Sequence, residues 1–158
     1  MEKRFSGCEI VEIGIQIEKN GYDFYAEIAK NTDDEKLKEL YGFLACEEKS
    51  HIDAFKDIFK GLCDYSPEGA YPDEYFSYMN ALASDHVFTK EGKGVELAKG
   101  VENVKDGLAI AVSFEKDTVI FFEEMKKLVP ENEKQVIDRL IDEEKKHLKK
   151  LIQIRSEL

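Results

Sequence analysis

Residues 45–51 read "ACEEKSH", and residues 141–147 repeat the pattern as "IDEEKKH". In each copy a glutamate stands three residues before a histidine, in the pairs Glu48 with His51 and Glu144 with His147. Three residues turn an α-helix through about 300°, so the two side chains of each pair share one face. The repeat therefore predicts two helices that each present a carboxylate and an imidazole together.

A second repeat precedes the first along the chain. The stretch "IEKNGYDFYAEIAK" (17–30) aligns with "FEKDTVIFFEEMKK" (114–127), which places Glu18 opposite Glu115. The chain is therefore predicted to contain two similar helical hairpins. Residues 61 to about 100 are rich in aromatic and turn residues and are expected to form a long crossover between the hairpins. We predict an all-α fold, a four-helix bundle in a single domain spanning residues 1–158.

Apolar residues at helical spacing predict where the helices begin and end. The expected spans are about 8–30, 33–60 and 104–128, a last helix from Pro130 to the C-terminus, and a short helix near 72–84. Thr32 is expected to cap the second helix and Gly61 to end it. At 1.5 Å per residue, both carboxylates of the first hairpin lie about 20 Å from its turn, and the second hairpin repeats this spacing. Four carboxylates and two imidazoles are thus predicted to meet at mid-bundle.

Charge and composition exclude several classes of partner. The formal net charge of -11 repels nucleic acid. The N-terminal apolar positions are interrupted by glutamates, so no signal-peptide core is present, and no apolar run reaches the length of a membrane span. Cys8, Cys46 and Cys63 contain no CxxC pair and are expected to be free thiols. We expect a cytoplasmic protein with no nucleic-acid or membrane partner.

Buried carboxylates repel one another unless cations supply counter-charge. The predicted cluster matches two metal ions, one held by Glu18 and His51 and the other by Glu115 and His147. The remaining two ligands, Glu48 and Glu144, are expected to bridge the ions. Oxygen and nitrogen ligands without thiolate favour iron, with manganese as the alternative, over structural zinc. A single ExxH motif usually lies on a solvated helix face. The alternative is therefore a metal-free helical scaffold whose histidines form caps or pairs with other polar side chains on such a face.

With this ligand pattern the chain resembles the ferritin-like superfamily, and most closely the rubrerythrin-like di-iron carboxylate proteins. The resemblance covers both hairpins and carries over to six residues: Glu18, Glu48, His51, Glu115, Glu144 and His147. It implies a ferritin-like bundle with a non-haem di-iron centre that reacts with peroxide or oxygen. The sequence shows no paired CxxC motifs of a rubredoxin domain, so an external electron-donor protein is expected. Rubrerythrins carry a further glutamate one turn after the third-helix ligand, where this chain has Thr118.

Three functions follow from this reading. The leading one is a di-iron oxidoreductase that reduces hydrogen peroxide or oxygen. The second is iron handling by a ferritin-like protein that oxidises iron without turning over peroxide. The third is a metal-free helical interaction module. The resemblance, together with aromatic residues in the crossover, also predicts a homodimer; these residues are Tyr71, Tyr75, Phe76 and Tyr78.

Two other side chains have more than one reading. Tyr25 lies seven positions after Glu18 on nearly the same helix face. It is the candidate catalytic residue, expected either to hydrogen-bond a metal-bound carboxylate or to donate an electron, and a plain core tyrosine is the alternative. His86 has no partner at ligand spacing and is expected to be a surface residue.

Overall fold

The computed structural model describes residues 7–62, 73–86 and 90–158. The described residues form six α-helices and no strand. A short 3-10 turn, Lys126–Leu128, follows the fifth helix. The helices are α1 (Gly7–Asn31), α2 (Glu35–Leu62), α3 (Asp73–Asp85), α4 (Lys93–Lys99), α5 (Val104–Met125) and α6 (Glu131–Ser156).

Four long helices build the bundle. Helix α1 packs along α2, and α5 packs along α6, so each short connection joins two neighbouring helices. The hairpins meet mainly through α1 and α5, whereas α2 and α6 touch over a shorter stretch. The predicted all-α architecture of two hairpins joined by a crossover is confirmed. None of the helices within the described ranges is both long and apolar enough to cross a membrane.

The helix ends differ in detail from those expected. Helix α2 is capped by Asp34 rather than Thr32, because the Asp34 carboxylate accepts the N–H groups of Lys36 and Leu37 at 2.9 and 3.2 Å. The helix also continues through Gly61 to Leu62. Pro130 stands just before the first residue of α6 rather than in it. These shifts of one or two residues leave the heights of the predicted ligands unchanged.

The crossover contains one predicted helix and one that was not expected. Helix α3 lies where a short helix was predicted. Helix α4 forms in the glycine-rich stretch that was expected to be a plain connector, and it packs against α1. Asn20 in α1 holds it, because its side chain accepts the Gly94 N–H at 3.1 Å and donates to the Lys90 carbonyl at 2.7 Å. A buried amide thus fixes the crossover to the first hairpin.

Gly94 allows this close approach of the two backbones. A Cβ atom on Gly94 would lie 2.1 Å from the Asn20 carbonyl oxygen, far inside normal contact distance. Gly42 in α2 offers a contrast, since a Cβ there would meet nothing within 4 Å.

We expect Gly94→Ala to lower the free energy of unfolding by about 1–3 kcal/mol, because α4 must move away from α1. Gly42→Ala, the matched control, should be neutral or stabilising by up to about 1 kcal/mol, since alanine favours the helix. Urea denaturation of both variants measures the difference. Equal stability of the two would contradict the tight contact.

Candidate metal centre

The six predicted ligands come together in the bundle interior. Each of the four long helices supplies at least one of them. Five of the six side chains have no exposed surface, and His147 is 4% exposed. The helices place them as follows: Glu18 from α1, Glu48 and His51 from α2, Glu115 from α5, and Glu144 and His147 from α6.

These side chains divide into two overlapping groups. The first contains Glu18 and His51, and the second contains Glu115 and His147. Glu48 and Glu144 belong to both groups, each with two carboxylate oxygens to share. Within each group the candidate ligand atoms all lie within 4.8 Å of one another. This is the arrangement of two adjacent cation sites joined by two bridging carboxylates.

Both imidazoles point the same ring nitrogen at the carboxylates. The Nδ1 atom of His51 lies 3.2 Å from Glu18 Oε2 and 2.5 Å from Glu144 Oε1. The Nδ1 atom of His147 lies 3.3 Å from Glu144 Oε2 and 3.7 Å from Glu115 Oε1. The two rings stack with centroids 6.0 Å apart and planes inclined by 14°. The Nδ1 atoms are therefore the nitrogens available to a metal.

A glycine in α1 lets the hairpins close around this cluster. A Cβ atom on Gly21 would lie 2.6 Å from Cζ of Phe114 and 3.5 Å from Cδ of Glu48. Phe114 is the residue before Glu115, so its close packing on α1 sets the depth of that carboxylate. Phe55 and Phe122 stack edge to face with centroids 4.9 Å apart, and all three rings are buried. Phe114 therefore places a buried apolar ring beside the polar cluster.

Burial shifts the protonation of the cluster. It raises the pKa of Glu18, Glu48 and Glu115 well above the usual value, and the charge of Glu144 raises each further. Burial would also raise the pKa of Glu144, but contacts with Glu115 and both imidazoles lower it below the usual range. Without metal, Glu144 is thus the carboxylate that stays charged.

The histidines respond in the opposite sense to burial. Burial would lower the pKa of His51, but hydrogen bonding to Glu144 and the nearby carboxylate charges raise it to about 10. Contacts with Glu115 and Glu144 likewise outweigh burial and raise the pKa of His147 to about 10. Protons therefore provide the positive charge that cations would otherwise provide.

The cluster fits a pair of cations better than it fits protons alone. Apart from Glu144, whose oxygens lie against the two imidazoles, buried oxygens of three further glutamates have no hydrogen-bond partner in the described part of the chain. They are Glu18 Oε1, Glu115 Oε2 and both carboxylate oxygens of Glu48. Buried polar atoms normally have partners, because an unsatisfied group costs about 1–3 kcal/mol or more when charged. Two metal ions between the imidazoles would satisfy these lone pairs.

Tyr25 is buried beside the cluster. Its hydroxyl donates a hydrogen bond of 2.7 Å to Glu115 Oε1, and its ring stacks on Tyr41 at 5.8 Å. Burial first, and then the Glu115 charge, raise the pKa of Tyr25 well above its usual value. The tyrosine therefore keeps its proton and holds one oxygen of a predicted ligand.

The expectation that His86 is a surface residue is wrong. His86 is 4% exposed, and its Nε2 atom lies 3.2 Å from Oγ1 of the buried Thr118. Burial lowers its pKa to about 4, so the imidazole is neutral. Its ring also packs edge to face on Phe114 at 5.9 Å. Helix α3 delivers this histidine to α5, a long-range placement that local sequence spacing does not reveal.

Two carboxylates at the outer side of the histidines were missed in the sequence. Glu143 and Glu47 each stand one residue before a predicted ligand, at the first glutamate of each "EE" pair. Glu143 Oε2 lies 2.8 Å from His51 Nε2, and Glu47 Oε2 lies 3.9 Å from His147 Nε2. The repeated "EE" pair in the two motifs is the sequence feature that could have identified these two carboxylates.

Comparisons with known proteins agree with this geometry. The family model described as rubrerythrin matches residues 9–154 of the chain. The fold is similar to that of a Thermotoga maritima protein whose crystal structure is described as that of a ferritin-like diiron-carboxylate protein. That match has a TM-score of 0.70 and 22% identity, and it covers 99% of each chain. No protein with curated annotation matches the chain. The ferritin-like fold predicted from the sequence is confirmed.

Because the two ligand groups share Glu48 and Glu144, the number of metal ions bound per chain should depend on which glutamate is replaced. Glu144→Ala or Glu48→Ala should reduce anaerobic Fe²⁺ binding from two ions per chain to almost none, because each residue serves both groups. Glu18→Ala should retain one ion, since Glu18 serves only the first group. Glu123→Ala, which removes an exposed carboxylate of α5, is the control and should bind two. Metal analysis after gel filtration measures the ratio. Two ions in both bridging variants would contradict the assignment.

Proposed function

Since the chain belongs to the rubrerythrin family, we propose that it is a non-haem di-iron oxidoreductase. The proposed reaction reduces hydrogen peroxide or oxygen with electrons from an external donor. The observation that supports it most is the sharing of Glu48 and Glu144 by two buried ligand groups. Two redox-active metals held side by side could each supply one of the two electrons that this reduction needs.

The proposed ligand set is made of oxygen and nitrogen atoms. Glu18 and His51 would hold one ion, Glu115 and His147 the other, and the shared carboxylates would bridge them. Carboxylate and imidazole ligands suit iron or manganese, and we propose iron. When bound as a ferrous pair, the metals supply the two electrons that convert hydrogen peroxide and two protons to two molecules of water.

The protein's own contribution is to orient ligands and limit water around the centre. The buried ring of Phe114 lies beside the cluster, and an apolar environment strengthens electrostatic interactions inside the site. The Tyr25 hydroxyl donates to Glu115 Oε1 and thereby fixes the rotation of that carboxylate. The other oxygen of this carboxylate, Oε2, is buried without a hydrogen-bond partner in the described part of the chain and is therefore available to a metal. We propose Tyr25 as a positioning residue that can also hold a proton at its hydroxyl oxygen.

Iron handling is the second candidate, and Thr118 favours it. The resemblance to rubrerythrins leads one to expect a further carboxylate one turn after Glu115, and this chain has Thr118 there. The hydroxyl of Thr118 lies against His86 and adds no charge. The carboxylate that the resemblance links to the reaction with peroxide is therefore replaced by a neutral hydroxyl, which makes oxygen-driven oxidation of iron the competing function.

The two candidates differ in which oxidant reacts faster. Anaerobic protein loaded with two Fe²⁺ ions per chain is mixed rapidly with peroxide or with oxygen, and the near-ultraviolet absorption of ferric iron is followed. We expect peroxide to oxidise the iron at least about tenfold faster than oxygen at equal concentration. Glu144→Ala with the same added iron is the control for oxidation outside the centre. Faster oxidation by oxygen would support iron handling, and no reaction with either would overturn both candidates.

Tyr25→Phe tests the role of the tyrosine. The variant should bind two metal ions, because no proposed ligand is removed, yet its iron should be oxidised about tenfold more slowly. Tyr22→Phe, at a half-buried position of α1, is the matched control and should behave as the unmodified protein. Rates equal to those of the control would show that Tyr25 is only a core residue.

Three expectations drawn from the sequence stay predictions: the external donor protein, the cytoplasmic location and the homodimer. Of the aromatic residues expected at the dimer interface, Tyr78 is 47% exposed on α3. Tyr71 lies outside the described residues, as do the side chains of Tyr75 and Phe76. Ile120 on α5 is also exposed, at 45%. An exposed tyrosine and isoleucine are consistent with a contact surface.

A further inference from the structure

A cavity of about 240 Å³ opens at the end of the bundle where the α1–α2 turn, the end of α4 and the start of α5 meet. The six proposed metal ligands, all within the described ranges, do not line it. Its walls are mostly apolar and include Ile28, Leu37, Ala98, Val101 and Val104. Sites for drug-sized ligands have volumes of about 300–1,000 Å³, so this cavity fits a smaller molecule of one or two rings.

Tyr41 is the buried polar residue of this cavity. The tyrosine lines the cavity and is only 2% exposed. Its hydroxyl makes no hydrogen bond to any residue that the structure describes. Burial raises the pKa of Tyr41 to about 12, so the hydroxyl keeps its proton and can donate a hydrogen bond. A buried phenol normally has a partner, and a ligand in the cavity would provide one.

Gly107 in α5 leaves the space in front of this hydroxyl open. A Cβ atom on Gly107 would lie 3.5 Å from the hydroxyl oxygen of Tyr41, 3.3 Å from Cγ1 of Val101 and 3.6 Å from Cδ1 of Ile28. All four residues line the cavity. Glycine has a low helix propensity, yet it stands within α5 at this point. An alanine here would favour the helix but would fill part of the cavity.

The charges around the cavity limit the kind of ligand. Asp33 and Glu102 line it as exposed carboxylates, and among the described residues no lysine or arginine lines it. Anions are therefore repelled, in line with the net charge of -11. The apolar walls disfavour any charged group that lacks a partner. A neutral ring with a carbonyl oxygen meets both conditions, because the carbonyl can accept the O–H of Tyr41.

Tyr41 also connects the cavity with the metal centre. Its ring stacks on Tyr25, with centroids 5.8 Å apart and planes inclined by 28°. The Tyr25 hydroxyl donates to Glu115 Oε1 at 2.7 Å. A ligand that bonds to Tyr41 is thus joined to a proposed metal ligand through two buried rings in contact. Among neutral ring carbonyl compounds, this connection favours those that can carry electrons.

We propose that this cavity binds a neutral quinone of one or two rings, with one carbonyl oxygen accepting the hydrogen bond of Tyr41. The ligand site itself needs no metal. Its role rests on the proposed function: the reduced form, a hydroquinone, would be the external electron donor, for which the sequence led us to expect a protein. Two O–H bonds of the hydroquinone would break as it becomes the quinone. Two ferric ions would each gain one electron, and solvent would take up the two protons.

The binding test uses the metal-free full chain and 2,3-dimethyl-1,4-naphthoquinone. Methyl groups occupy both ring positions at which a quinone adds thiols, so addition of the exposed thiol of Cys46 is blocked. Equilibrium dialysis, followed by the quinone absorbance, should show one saturable site per chain. 2,3-Dimethylnaphthalene, which lacks the carbonyls, should bind about 2- to 10-fold more weakly.

Two substitutions with matched controls locate the site. Tyr41→Phe should weaken quinone binding about 2- to 10-fold and leave binding of the hydrocarbon unchanged. Tyr22→Phe, at a half-buried position of α1, is its control. Gly107→Ala should weaken binding of both compounds at least about fivefold, because the added methyl group occupies the cavity. Gly42→Ala is its control, since a Cβ atom there meets nothing within 4 Å.

The electron-transfer test uses the chain with two ferric ions bound, mixed with the corresponding hydroquinone in the absence of oxygen. At hydroquinone concentrations below the Kd, the rate depends on how much of the cavity is occupied. The ferric absorption should therefore be lost more slowly in Gly107→Ala than in Gly42→Ala, by the same factor as the loss of binding.

The outcomes separate this inference from the proposed function. Equal quinone binding by the unmodified chain, Tyr41→Phe and Gly107→Ala would overturn the proposal, as would the lack of saturable binding by the unmodified chain. Binding together with equal rates of iron reduction in Gly107→Ala and Gly42→Ala would overturn the donor role. If the chain takes up no iron, the proposed function fails, and quinone binding by the metal-free protein still decides whether the ligand site exists.

Discussion

Four carboxylates buried at one level of a helical bundle constrain the rest of this molecule. An unpaired charge in the interior costs several kcal/mol even after relaxation, so such a cluster needs positive charge within a few ångströms. Glu18, Glu48, Glu115 and Glu144 have none of their surface exposed, and the imidazoles of His51 and His147 are the cationic groups directly against them. Protons on these two rings leave several carboxylate oxygens without partners. Two divalent cations would supply the missing charge, which is why the cluster is best understood as a metal centre.

The packing of the bundle serves this requirement. Antiparallel helices with short connections bring residues far apart in sequence to the same height, so that one glutamate from α1 meets the glutamate and histidine of α2. Gly21 lets Phe114 approach α1 closely, and this contact brings Glu115 toward the first hairpin. Gly94 allows α4 to lie directly on α1 beside Asn20. These contacts hold the crossover against the first hairpin. Helix α3, which precedes α4 in the crossover, places His86 next to Thr118.

The sequence predicted the features that repeat and missed those that depend on long-range placement. The two ExxH motifs and the aligned glutamates have a fixed helical period, so spacing alone was enough to predict that six side chains share one interior. His86 was misjudged because its burial depends on where α3 meets α5, which no local pattern encodes. Helix α4 was missed because glycine has a low helix propensity. The packing of α4 against α1 stabilises the helix despite that low propensity. Glu47 and Glu143 were overlooked because acidic residues are abundant here and only the fold shows which of them face an imidazole.

The central claim is that this interior holds two metal ions between the two histidines. Crystals of the chain reconstituted anaerobically with Fe²⁺ and measured on both sides of the iron absorption edge test it most directly. Our account predicts two anomalous peaks, one between Glu18 and His51 and the other between Glu115 and His147, with Glu48 and Glu144 reaching both. Crystals that contain bound iron only at the surface, or a single peak outside this cluster, would contradict the account.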